Sequence, residues 1–151
     1  MTRTLFPGLC LAASMLLAAP AWAGDIFRHV NISGGRLELG RASELLGSVS
    51  DKVAPNTYGH HSHAFKGAEA ITAVTDAEGV IREFRFEYSR SYDFAKTRAQ
   101  YEKSFGPPAS IERIGDEEAV TWKDGRTELI LARKAEGRYA SSLILRDMPR
   151  K

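Results

Sequence analysis

The clearest periodicity in this chain lies at residues 83–88, where Phe84, Phe86 and Tyr88 alternate with Glu83, Arg85 and Glu87. A period of two places one side of a strand in a core and the other in water, whereas helical spacing would scatter the aromatics around a cylinder. The same reading predicts strands over Asp25 to Ile32, Ala70 to Thr75 and Val80 to Tyr88, with Asp76-Ala77-Glu78-Gly79 as the turn between the last two. Tyr58 to Lys66 reads as extended. Three further strands fall at Ala119 to Lys123, Thr127 to Arg133 and Tyr139 to Arg146, and Asp124-Gly125 is a hairpin signal between the first pair.

Two segments change period. Phe94, Tyr101 and Phe105 form one stripe of a helix from about Tyr92 to Phe105, with Thr97 beside it. Ser91 is its expected N-cap, Asp93 and Lys103 match the dipole at either end, and Gly106-Pro107-Pro108 stops it. A shorter helix is expected within Leu37 to Gly47, entered near Gly40 and ended by Gly47, with Leu39, Leu45 and Leu46 to bury.

Together these elements predict an α+β fold: an antiparallel sheet with helices packed on one face, the other face free. The order of elements repeats. Gly67 to Gly125 and Gly79 to Gly137 are both steps of 58, and Gly47 to Gly106 is a step of 59. That register matches Ile71 with Leu129, Ala73 with Leu131 and Phe86 with Ile144, so the halves 24–89 and 90–151 are expected as two tandem helix-plus-three-strand units.

The first 23 residues stand apart from this patterning. Arg3 precedes an uncharged run with a leucine- and alanine-rich centre from Leu9 to Ala19, followed by Ala21-Trp22-Ala23. This is the layout of a secretory signal peptide cleaved after Ala23, so the working chain is expected to be one domain over 24–151, periplasmic or secreted. Cys10, the one cysteine of the chain, lies in the leader, which excludes thiol catalysis, disulfides and thiolate metal sites beyond it. Without Arg3 the basic residues number 20 against 19 acidic ones, a balance that argues against nucleic acid as a partner. No second segment is apolar enough for a membrane span.

Leu39-Gly40-Arg41-Ala42-Ser43-Glu44-Leu45-Leu46-Gly47 and the later Tyr101-x3-Phe105-Gly106-x-Pro108 resemble elements of the exported domains grouped as β-lactamase-inhibitor-like, which include the SmpA/OmlA outer-membrane assembly lipoproteins. The likeness runs through the order of elements from Leu37 to Asp147. It implies a binding or scaffold module without catalysis. Two features depart from the group: Cys10 follows Leu9 and does not make a lipobox, and the chain beyond the leader cannot form the inhibitors' disulfides. No binding residue is carried over from either family.

The candidate chemistry is sparse. His60-His61-Ser62-His63 is a cluster of metal-ligand types; if extended, His61 and His63 share a face roughly 6–7 Å apart, suited to zinc or copper, with His29 or Glu69 as a third ligand. The bland alternative is a solvated strand or loop. Asp116-Glu117-Glu118 reads as a solvated turn, and Glu83, Arg85 and Glu87 as the wet side of a strand. Tyr92 and Trp122, each beside a turn or junction, are the candidate interaction residues, with core positions as the alternative. The leading expectation is a non-enzymatic module that binds a protein or small ligand on the open sheet face. A metal-binding protein and a small exported hydrolase stay open as alternatives.

Overall fold

A computed structural model describes residues 29–32, 35–41, 51–60 and 67–147, with only the backbone described for 29–32, 35–37 and 60. Ten strands and one helix occur among them. A hairpin, β1 (His29–Ile32) and β2 (Gly35–Glu38), stands as its own two-stranded sheet. The other eight strands form one antiparallel sheet: β3 (Asp51–Ala54), β4 (Thr57–His60), β5 (Ala70–Thr75), β6 (Ile81–Tyr88), β7 (Ser110–Ile114), β8 (Glu117–Asp124), β9 (Thr127–Arg133) and β10 (Ser141–Asp147).

The spatial order is β3-β4-β5-β6-β10-β9-β8-β7. Each four-strand meander therefore starts at an edge and ends at the centre, where β6 pairs with β10. The helix α1 (Phe94–Phe105) carries the chain from the end of β6 to the far edge at β7. Its 12 residues span about 18 Å, close to the ~19 Å of four strand spacings that the connection must cross.

This architecture corrects the expected α+β class. The protein is β-rich, with a single short helix among the described residues, and each half contributes four strands to the large sheet rather than three. The reason is local. Ser110 to Ile114 and Asp51 to Ala54 are exposed edge strands with weak apolar alternation, so their pairing comes from a neighbouring strand more than from a buried face. Leu37 and Glu38, the first residues of the segment expected to hold the shorter helix, close β2; residues 42–50, where most of that helix is expected, lie outside the described residues.

The helix start is also corrected. Asp93, not Ser91, is the N-cap, its carboxylate accepting the Lys96 N–H at 2.9 Å. Gly106 ends the helix as expected, with φ of +81°. Gly125 opens a two-residue hairpin loop at φ +47°, a conformation that costs glycine little.

Alternation sorts the sheet into two faces. On the helix side, one cross-strand row is Ala73, Phe84, Leu145, Leu129 and Trp122, and the next is Ile71, Phe86, Leu143, Leu131 and Val120. All ten are buried, and Tyr101 and Phe105 of α1 pack against them. Tyr101 meets Trp122 edge-on at 5.7 Å, and the Trp122 indole N–H donates to the Gly106 carbonyl at 3.0 Å. Leu39, fully buried, plugs the start of β6, where Gly40 and Arg41 exchange backbone hydrogen bonds with Ile81.

Candidate functional site

The third row on the helix side is polar: Tyr88, Ser141, Arg133, Glu118 and Arg113. Glu118, expected in a solvated turn, is the second residue of β8 and only 7% exposed. Gly115 and Asp116 make the turn instead. Three arginines converge on its carboxylate: Arg98 of α1 at 2.7 Å, Arg113 at 3.0 Å and Arg133 at 3.6 Å. A buried carboxylate requires such partners, and this one ties helix to sheet.

The opposite face carries a different set of rows. Lys123, Glu128, Arg146 and Glu83 lie directly across four adjacent strands with alternating charge. Lys123 pairs with Glu128 at 2.9 Å, and Arg146 with Glu83 at 2.9 Å. The middle row is Thr121, Ile130, Ile144, Arg85 and Thr72, and the third is Glu112, Ala119, Ala132, Ser142, Glu87 and Ala70.

Small residues in that third row leave a depression. A groove of about 290 Å³ has Ala119, Ala132, Ser142 and Ile144 in its floor, with Arg85, Glu112, Ile114, Glu117 and Lys134 around it. The three cations of its lining are already engaged, Arg85 with Glu83 at 3.0 Å, Lys134 with Glu87 at 3.2 Å and Arg133 with Glu118 at 3.6 Å. Glu112 and Glu117 have no ion pair among the described residues, so the charge left open at the groove is negative. Ile114, 78% exposed, stands at its edge on β7, an outermost strand of the sheet.

At one end of the sheet, Arg82 bridges Asp76 and Asp147, each at 2.8 Å, and its pKa is raised by those two bonds. The Asp76 carboxyl is held below its ordinary value, chiefly by the Val80 N–H at 2.8 Å. At the other end three tyrosines gather. Tyr88 and Tyr92 stack at 4.0 Å. Burial raises both phenols, and it pushes Tyr101 up to about 12, with Tyr92 adding to the shift.

The residues singled out from sequence scatter. His61 and His63 lie outside the described residues, and the side chains of His29 and His60 are not described; Glu69 is an exposed residue before β5. Among the described residues no three histidines, cysteines or carboxylates gather in a way that could hold a metal ion. Trp122 is 2% exposed and belongs to the core, so the pull of its buried neighbours outweighs its place beside a turn. Tyr92 is half-buried against Tyr88. Sequence reasoning missed Ser142, Ala132, Ala119 and Glu112; the signal was their parity, since each falls on the even or odd positions opposite a core residue.

No family model and no curated protein matches the chain. A crystal structure of a DUF4309 family protein, YjgB of Bacillus subtilis, is similar in fold, with a TM-score of 0.50 at 14% identity, covering 70% of this chain and 76% of that one. Similarity at that identity speaks to the fold alone. No helix among the described residues is long and apolar enough to cross a membrane.

Proposed function

We propose that this chain is a non-enzymatic binding module, periplasmic or secreted, that takes a polypeptide partner on the sheet face opposite α1. The observation that carries the reading is the groove. It combines a floor of small and apolar side chains with two carboxylates, Glu112 and Glu117, whose charge is not met by an ion pair among the described residues. An extended segment bearing lysine or arginine beside apolar residues complements both features. Among the described residues the neighbouring edge strand β7 has no further strand beside it, so such a segment could also pair with its backbone. The leader over residues 1–23 and the resemblance to exported inhibitor-like modules support the compartment and the lack of catalysis.

Selection of displayed random peptides on the full chain tests this. Peptides enriched in alternating basic and apolar residues, whose capture is lost in Glu112→Lys and Glu117→Lys, support it. Both positions are exposed strand sites, so the variants should keep stability within about 0.5 kcal/mol. No enrichment, or peptides indifferent to these two charge reversals, would sink the reading.

A further inference from the structure

A second cavity lies at the other side of the sheet, at the polar end of the covered face. It measures about 260 Å³ and is bounded by residues 134–137 and Ala140 between β9 and β10, by Arg90, Tyr92 and Phe94 ahead of and within the first turn of α1, and by Arg133 and Ser141. Its volume lies just below the usual range of small-molecule pockets, about 300–1,000 Å³.

Its walls combine three chemistries. The first is cationic. Arg90 is exposed and has no ion pair among the described residues. Arg133 reaches Glu118 only at 3.6 Å, while Arg98 and Arg113 hold the same carboxylate at 2.7 and 3.0 Å, so Arg133 is the least committed of the three. Glu136 is the one acid in the lining, and the Lys134 ammonium is engaged on the opposite face by Glu87. The second is aromatic: Phe94 lies under the Arg133 guanidinium, 5.4 Å from ring centre to carbon, and Tyr92 is backed by Tyr88.

The third is Ser141. It is only 2% exposed and its hydroxyl makes no side-chain hydrogen bond among the described residues, yet no fully enclosed side-chain polar atom is left without a partner. What accessibility the hydroxyl keeps therefore faces the cavity it lines. A hydroxyl donor at the floor with no side-chain hydrogen bond among the described residues, two guanidinium groups and two rings are complementary to one kind of ligand.

We propose that the cavity formed by Arg90, Tyr92, Phe94, Arg133 and Ser141 binds a small organic anion, its carboxylate on the two arginines and the serine hydroxyl and its flat apolar body against the rings. The cavity shares Arg133 and Lys134 with the lining of the groove, but Arg90, Tyr92, Phe94 and Ser141 line this cavity and not the groove, so the assignment stands or falls independently of the reading above.

Calorimetric titration of the full chain with sodium benzoate, and in parallel with inorganic phosphate, tests the assignment. Benzoate should bind saturably at one site in the millimolar range or tighter, with phosphate clearly weaker because it cannot use the rings. Arg90→Ala, at an exposed position whose loss leaves the fold intact, should weaken benzoate roughly tenfold, the scale of one charge-assisted contact. Ser141→Ala should weaken it by a smaller factor with the circular dichroism spectrum unchanged. Absence of saturable benzoate binding, phosphate binding as tight as benzoate, or benzoate affinity unchanged in Arg90→Ala would each overturn the proposal.

Discussion

The two faces of the large sheet are built from the same strands by alternation, and they solve different problems. On the covered face, Phe84, Phe86, Leu129, Leu131, Leu143 and Trp122 remove apolar area from water, and the buried acid Glu118 is matched by three arginines. On the open face, charge alternates across β8, β9, β10 and β6, and the row beside it is kept small. Stability comes chiefly from the first arrangement, since area burial outweighs partly exposed ion pairs. The second leaves a groove. A face that contributed as much to the core as the other could not also present a shaped surface.

The contrast is sharpest at two neighbouring residues. Leu145 and Ile144 are similarly buried, but Leu145 points into the core and Ile144 into the floor of the groove. Leu145→Ala should cost about 3–4 kcal/mol and Ile144→Ala about 2, because flexible charged side chains beside the groove can settle into the space. Urea unfolding midpoints of the two variants measure it; equal losses would mean that both faces are packed as core.

Next in size is the response to alkali. Tyr88, Tyr92 and Tyr101 are raised above the ordinary phenol value by burial in the covered face. A raised folded-state value means that the unfolded chain releases these protons first, so stability is full below pH about 10 and falls as the pH climbs toward the folded-state values. Unfolding free energy followed from pH 9 to 12, alongside phenolate absorbance, should show the loss begin before those three rings ionise in the fold.

Glu118→Gln probes the polar end of the same face. The amide keeps the volume but abandons the charge on which Arg98, Arg113 and Arg133 converge, and a loss of about 2 kcal/mol is expected from the urea midpoint. The smallest effect belongs to the open face. A double-mutant cycle on Arg146→Ala and Glu83→Ala should return a coupling of about 0.5 kcal/mol or less, shrinking with added salt. A larger, salt-insensitive coupling would break the distinction between the faces.

Much of the strand pattern was legible from alternation. The strands over Ala70 to Thr75 and Thr127 to Arg133 coincide with β5 and β9, and the helix and its glycine stop were located to within two residues at its start. The edge strands β3 and β7 were not, because their residues are exposed and their extension depends on a partner strand. Glu118 misled for the opposite reason: three residues after Gly115 and following two other acids it looks like a turn residue, and nothing in the local pattern announces that arginines 98, 113 and 133 converge on it.

By itself the sequence determined which positions seek burial, where glycine and proline interrupt the chain, and how charge is balanced along it, since these follow from side-chain chemistry and local backbone limits. Only the tertiary structure decided that both meanders end at the centre of one sheet, that Glu118 sits beneath three arginines, and that Ala119, Ala132 and Ser142 line up across three strands to form a floor. Those arrangements depend on cross-strand register, which brings together residues far apart in the chain and leaves no local trace.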